Sequence, residues 1–141
     1  MSADKSPETN GHGSRPPRPS VTLRQRVQRF IQLKVWGMDI HRSAWIAPTA
    51  LIDRTWPRGV HIGPDCVFDE ESVLLTHDMT RGLYLDTSVG QGTYVGPRAI
   101  ILPGVTVGAN CFIAGGALVN RDLPDGSHAI GNPARIVDPD E

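Results

Sequence analysis

Residues 89–124, VGQGTYVGPRAIILPGVTVGANCFIAGGALVNRDLP, repeat with a period of six residues and without a break. Each block opens with an aliphatic residue, and the same template fits three earlier blocks, which begin at Ile62, Phe68 and Leu74. Position four is Gly, Asn or Asp in six of these nine blocks, and such residues tolerate the left-handed conformation of a sharp corner. Short strands that turn a corner every six residues predict an all-β solenoid, a parallel β-helix.

Length and composition limit the possible protein classes. The chain has 141 residues, which is enough for one domain, and its 15 Gly and 12 Pro suit a solenoid with many turns. Cys66 and Cys111 both fall at position five, the small inward slot, so we expect reduced core thiols. The net charge of −1 gives no argument for a nucleic-acid partner. With neither a secretory signal nor a membrane span in the sequence, we expect a cytoplasmic protein.

The sequence predicts four segments: a disordered tail at 1–20, an amphipathic helix at 21–37, the β-helix domain at 38–137 and a short tail at 138–141. In the helix, apolar residues recur at helical spacing between basic ones, and no acid occurs between Glu8 and Asp39. Two interpretations stay open. The apolar stripe caps the open end of the solenoid, or residues 15–36 associate weakly with an anionic membrane surface. The stripe consists of Leu23, Val27, Phe30, Ile31 and Val35.

The phase of the repeat predicts a loop and two surface rows. Three blocks make one 18-residue coil, but Val89 follows its counterpart Ile62 by 27 residues, so a nine-residue excursion is expected at 80–88. The phase also places apolar residues outward in two rows, which predicts that subunits associate. The rows are Val67, Tyr94 and Phe112, and Val73, Ile100 and Leu118.

His77 is the residue with the clearest capacity for chemistry. It occupies position four of its block, where Gly, Asn or Asp is usual, and Gly104 lies at the same corner one coil later. An imidazole beside a residue without a side chain leaves space for a ligand. Spacing alone leaves open whether His77 acts on a ligand or is a solvated surface histidine.

Four stretches of the chain resemble a known family. They are DRTWPRGVHIG (53–63), LLTHDMTR (74–81), VGPRAIILPGVTVGANCFIAGGALV (95–119) and IGNPARIV (130–137). Between Trp36 and Val137 the chain resembles the hexapeptide-repeat acyltransferases, especially the sugar O-acetyltransferases of polysaccharide biosynthesis, which are related to maltose and galactoside acetyltransferases. The resemblance implies a left-handed coil, acetyl-CoA as co-substrate and a homotrimer. It also implies that His77 is the general base that deprotonates a sugar hydroxyl.

The resemblance further implies two sets of binding residues. The residues expected to contact coenzyme A are Gly96, Gly104, Ala114, Gly115, Arg121 and Arg135. Those expected to contact the acceptor are Asp53, Arg54, Asp78 and Arg81. Asp78 either orients the imidazole or caps the loop, and the sequence favours neither. No metal ion and no permanently bound cofactor is expected.

Two alternative functions stay open at this stage. A γ-carbonic-anhydrase-like metalloenzyme on the same fold needs an H-x₄-H pair, but the matching position after His77 is Gly82. A non-catalytic β-helix that serves as an assembly subunit is the second alternative.

Overall fold

A computed structural model describes residues 19–140 of the chain. Most of the predicted tail at 1–20, with its basic Arg15 and Arg18, lies outside the described residues. The helix α1 spans Leu23–Phe30 and continues as a wider π-helical turn over Ile31–Val35. The strands are β1 Asp39–Ile40, β2 Trp45–Ile46, β3 Leu51–Ile52, β4 Val60–Ile62, β5 Val67–Phe68, β6 Val73–Leu74, β7 His77–Asp78, β8 Leu83–Tyr84, β9 Thr87–Val89, β10 Tyr94–Val95, β11 Ile100–Ile101, β12 Thr106–Val107, β13 Phe112–Ile113, β14 Leu118–Val119, β15 His128–Ile130 and β16 Arg135–Val137.

Three parallel sheets form the body of the molecule. One has the order β1-β4-β9-β12, the second β2-β5-β10-β13-β15 and the third β3-β6-β11-β14. Consecutive strands enter the three sheets in turn, so every three strands complete one coil stacked on the previous one. The register pairs Ile62 with Val89 and Val89 with Val107, as the phase of the repeat predicts. The final strand β16 turns back and pairs antiparallel with β15.

The positions within each block have the roles that the pattern predicts. Side chains at position one, and those at position five other than Asp78, are buried, and they include the reduced thiols of Cys66 and Cys111. At position four the backbone is left-handed in seven of the nine blocks, even at Glu71 and Arg98, which have φ of 57° and 59°. This conformation costs such residues about 1–2 kcal/mol, so the stacked coils, not local preference, impose the corner. The remaining left-handed corners of these blocks are Asp65, Gly92, Gly104, Asn110 and Gly116. Asp122 is an exception, and so is His77, which lies in the strand β7 and not at the expected corner.

The predicted excursion is an antiparallel hairpin. The strands β7 and β8 pair His77 with Tyr84, and the Leu85 amide closes the base of the hairpin on the Thr76 carbonyl at 2.8 Å. The predicted bounds of 80–88 are therefore wrong at both ends, because His77 already belongs to the hairpin and Thr87 belongs to β9. The coil resumes in phase, as expected.

The outward rows differ in how much surface they leave uncovered. Val67, Tyr94 and Phe112 lie side by side on neighbouring strands, and the Tyr94 and Phe112 rings stack with centroids 5.2 Å apart. Because neighbours in the row cover each other, Val67 and Tyr94 are already buried in one protomer, and Phe112 is 38% exposed. The row formed by Val73, Ile100 and Leu118 is half-buried.

The helix packs on the first coil with the face opposite to the one expected. Gln25 and Gln32 are its buried residues, and the Gln25 amide donates to the Ile46 carbonyl at 3.0 Å. The Arg29 guanidinium donates to the carbonyls of His41 and Ala44. The prediction that the apolar stripe packs on the solenoid is wrong. The end of a stack of strands presents free carbonyl groups, and these need hydrogen-bond donors, not methyl groups.

Candidate functional site

A cleft of about 560 Å³ opens where the hairpin leaves the coils. Residues of four successive coils line it together with the first half of the hairpin. The lining residues are Asp53, Thr55, Leu75, His77, Asp78, Met79, Thr80, Arg81, Leu102, Pro103 and Asn120. The structure thus brings together four residues predicted for catalysis and acceptor binding, namely Asp53, His77, Asp78 and Arg81.

Asp53 is a buried carboxylate that organises the backbone of the site. Its Oδ1 accepts a hydrogen bond from the Thr55 amide at 2.9 Å, and its Oδ2 accepts from the Thr76 and His77 amides at 3.0 and 3.2 Å. Burial by itself raises the pKa of Asp53, but these backbone hydrogen bonds outweigh it and the pKa is lowered. Asp53 therefore remains ionised and fixes the start of β7 below His77.

The His77 imidazole is held by stacking. Its ring lies nearly parallel to that of Tyr84, with an interplanar angle of 17° and centroids 4.7 Å apart. Tyr84 in turn lies against Trp56, with ring centroids 5.5 Å apart. Among residues 19–140, no side chain hydrogen-bonds to the imidazole, whereas the His77 backbone amide is bound to Asp53. Stacking fixes the plane of the ring and leaves the nitrogens at its edge available to a substrate.

Asp78 caps the hairpin and does not orient the imidazole. Its Oδ1 accepts hydrogen bonds from the Thr80 and Arg81 amides, and its Oδ2 accepts from the Arg81 guanidinium at 2.6 Å. The hydrogen bond with the Arg81 side chain lowers the pKa of Asp78. Of the two roles that the sequence left open for Asp78, these contacts are those of a cap on the hairpin. Asp78 and Arg81 shape the wall of the cleft as an ion pair.

Two predicted residues lie away from this cleft. The Arg54 guanidinium lies over the Trp36 ring, 5.5 Å from its centroid, in a groove beside the helix. Gly104 adjoins the hairpin, but the Leu85 side chain occupies the space that we expected a ligand to use. The Gly104 amide donates to the Thr87 hydroxyl at 3.0 Å, so it is not free to bind a substrate oxygen.

The residues predicted to contact coenzyme A are dispersed in one protomer. Gly96 and Gly115 lie at the corner after β10 and β13, whereas the cleft lies at the next corner of the coil. A Cβ on Gly96 would lie 2.5 Å from the Gly115 nitrogen, so the two glycines bring successive coils close together. Ala114 is half-buried beside them. Arg121 and Arg135 are exposed, Arg121 next to the cleft-lining Asn120 and Arg135 on β16.

Sequence reasoning missed Tyr84, the residue that holds the His77 ring. The signal available was Gly82, which has a φ of +64° at the hairpin turn and marks a two-stranded excursion. Pairing across that turn is what brings Tyr84 opposite His77. In the described part of the chain, no three His, Cys, Asp or Glu side chains form a group that could hold a metal ion.

Comparisons with known proteins agree with this architecture. The family model described as bacterial transferase hexapeptide (six repeats) matches residues 86–121. A candidate acetyltransferase, YvoF of Bacillus subtilis, is 28% identical over 120 residues, which are 79% of this chain and 70% of that protein. Residues 86–121 of the chain belong to the hexapeptide-repeat transferase family. The family identified from the sequence is therefore confirmed.

Other relatives and solved structures are similar over most of the chain. Serine acetyltransferase 4 of Arabidopsis thaliana is 32% identical over 123 residues, which are 84% of this chain but 33% of the plant protein. A hexapeptide-repeat acetyltransferase of Vibrio cholerae in complex with acetyl-CoA superposes with a TM-score of 0.63 at 19% identity and covers 83% of this chain and 78% of its own. A maltose O-acetyltransferase of Clostridium difficile superposes with a TM-score of 0.57 at 21% identity and covers 84% of this chain and 77% of its own. These structural likenesses show a shared fold.

Proposed function

We propose that this protein is an acetyl-CoA-dependent O-acetyltransferase in which His77 is the general base. The observation that carries the proposal is the position of His77 at a cleft, with its ring fixed by Tyr84 and its main chain fixed by Asp53. The relatives support the reaction class, since YvoF and the plant enzyme are described as acetyltransferases. The acetyl-CoA bound to the Vibrio cholerae protein supports the donor. A non-catalytic assembly role has no comparable support.

The reaction follows from the chemistry of a histidine beside an open cleft. An alcohol is a weak nucleophile at neutral pH, so His77 takes the hydroxyl proton as the oxygen attacks the thioester carbonyl of acetyl-CoA. The resulting tetrahedral intermediate breaks its carbon–sulfur bond. The imidazolium then returns the proton to the departing thiolate, so the products are the acetyl ester and free coenzyme A. Asp53 and Tyr84 act as positioning residues because Asp53 accepts the His77 backbone amide and Tyr84 stacks on the His77 ring.

We propose a sugar or polysaccharide precursor as the acceptor. The structural likeness to a maltose O-acetyltransferase supports a sugar hydroxyl. A serine-type hydroxyl is the second candidate, because serine acetyltransferase 4 is 32% identical over most of this chain. Arg81, paired with Asp78, is placed to contact either acceptor. A panel of nucleotide sugars, simple glycosides and L-serine, read by mass spectrometry of the acetylated product, separates the two.

We propose that the protein is a homotrimer of left-handed coils in the cytoplasm. The donor site is proposed to form between its subunits. In one protomer Gly96, Ala114 and Gly115 lie at a different corner from His77, so coenzyme A cannot contact both sets at one corner. In the proposed trimer, protomers pack side by side with the glycine corner of one subunit next to the cleft of another. Apolar surface at Phe112 and along the half-buried outer row supports such packing.

The test is the variant His77→Ala, measured by the thiol released from acetyl-CoA in the presence of an accepted acceptor. We expect kcat to fall by roughly 10²–10⁴-fold, which is the usual contribution of a general base. The KM for acetyl-CoA and the oligomeric mass should stay as in the wild type, because the side chain lies outside the core.

The matched control is His41→Asn, a change at an exposed histidine whose ring bonds to Ser43 far from the cleft. It should leave kcat unchanged. Turnover of His77→Ala within a few-fold of wild type would refute the assignment of the base.

A further inference from the structure

The N-terminal helix presents an apolar face to the outside of the protomer. The exposed fractions are 77% for Leu23, 52% for Val27, 61% for Phe30 and 66% for Val35, and Val21 just before the helix is 53% exposed. In an amphipathic helix on a globular protein, this face normally packs inward. Here it forms an outward stripe along the length of the helix.

Hydrogen bonds to the first coil fix this orientation. On the buried face, Gln25 donates to the Ile46 carbonyl, and Arg29, one turn later, donates to the carbonyls of His41 and Ala44. Thr22 and Gln25 form a capping box that fixes the start of the helix. Rolling the stripe onto the solenoid would break these bonds and bury the exposed apolar face against bare carbonyl groups. The outward stripe is therefore a property of the folded protomer.

The charges around the stripe have one sign. Arg24 flanks it on one side, where Arg54 lines the same groove, and Arg26 flanks it on the other, where Arg42 lines the adjoining groove. Lys34 is exposed at its far end. No acidic residue occurs between positions 8 and 39 of the sequence. A second copy of this helix would bring its own cations together, and the helix carries no carboxylate to pair with them.

We infer that this helix is a docking surface for an anionic lipid bilayer. An apolar stripe between cationic side chains lies in the plane of the interface, with its methyl and phenyl groups among the acyl chains and its guanidinium groups at the lipid phosphates. No helix of the described residues is long and apolar enough to cross a membrane. The inference does not depend on the proposed reaction.

The experiment is co-sedimentation of the full chain with vesicles of neutral phosphatidylcholine, or with vesicles in which about one-third of the lipid is phosphatidylglycerol. We expect binding to the anionic vesicles only, and weaker binding at high salt. Leu23→Ser together with Phe30→Ser should abolish it. Arg24→Gln together with Arg26→Gln should lower the partition coefficient by roughly five-fold for each cation removed.

The matched control is Ile136→Ser, which removes an apolar side chain that is 51% exposed on β16, at the opposite end of the solenoid. It should bind the vesicles as the wild type does. Oligomeric mass by light scattering is measured for every variant. The inference is overturned if the wild type ignores anionic vesicles or binds neutral ones equally well. It is also overturned if the Leu23 and Phe30 variant keeps its binding, or if it dissociates an oligomer, because the stripe then contacts a second copy.

Discussion

Asp53→Asn tests whether a buried carboxylate builds the site or binds the substrate. The carboxylate accepts three backbone hydrogen bonds, from Thr55, Thr76 and His77, at 2.9–3.2 Å. Asparagine has only one side-chain oxygen. If this oxygen accepts the hydrogen bonds of the Thr76 and His77 amides, the NH₂ group of asparagine must face the Thr55 N–H. One donor is then left unsatisfied, and the two remaining bonds lose the assistance of the charge. The orphaned donor costs about 1–3 kcal/mol, and the weaker remaining bonds add to this cost while relief of the carboxylate's burial offsets part of it, so we expect a net loss of about 1–3 kcal/mol.

The change should reduce catalysis as well as stability. A displacement of His77 by about 1 Å lowers kcat by up to roughly 100-fold, whereas the KM for acetyl-CoA should not change. Stability is measured by urea unfolding at one fixed protein concentration, so that any oligomer affects both proteins equally. The control is Asp122→Asn, where an exposed carboxylate accepts one amide hydrogen bond, from Thr106. It should change stability by less than about 1 kcal/mol.

The pH dependence has a defined sign. Since the pKa of Asp53 is lower in the folded chain than in the unfolded one, its stabilisation is fully present above the unfolded value of about 3.9. The stabilisation is lost as the pH falls through the folded pKa of Asp53. In that pH range, the free energies of unfolding of wild type and Asp53→Asn should approach each other. If Asp53→Asn loses activity but unfolds like the Asp122 control, Asp53 is a substrate ligand and the reasoning is refuted.

Two further predictions concern the stability of the coils. His61 lies between Asp39 and Asp86, and its hydrogen bond with Asp39, aided by Asp86, raises the pKa of His61. The stabilisation of the folded chain by His61 is therefore fully present below the unfolded pKa of about 6.5 and is lost as the pH rises through the folded pKa. Unfolding of His61→Gln at several pH values should therefore approach the wild type at alkaline pH, and a difference that grows there would contradict the assignment. Gly90→Ala should destabilise the protein more than Gly116→Ala in the same assay, because a Cβ on Gly90 would lie 2.6 Å from the backbone of the next coil. Gly116 has open space around it, so alanine there should cost only the strain of a left-handed φ, about 1–2 kcal/mol. Equal losses of unfolding free energy in the two variants would contradict this prediction and would mean that neighbouring coils move apart at little cost.

The hexapeptide period determined the fold because each position in a block has one local role. Position one must be apolar to reach the core, and position four must tolerate a corner, so a single sequence specifies both the strands and the register between coils. The phase alone also located a nine-residue excursion next to His77. Even Glu71 and Arg98 follow the corner geometry, since stacking of many coils outweighs the preference of one residue.

The arrangement of the site required the tertiary structure. Tyr84 reaches His77 only through pairing across a hairpin, and Asp53 reaches the amide of His77 only because the previous coil lies directly below it. The spacing of residues in the sequence does not encode which carbonyl or amide will be left without a partner.

The helix shows the same division most clearly. Its sequence determined an amphipathic helix with a basic flank, but not which face turns inward. That choice was decided by the open end of the solenoid, whose carbonyl groups at Ile46, His41 and Ala44 require donors. Gln25 and Arg29 supply those donors and Leu23 or Phe30 cannot. Hydrogen bonding at the end of the coils therefore outweighed the usual burial of an apolar stripe.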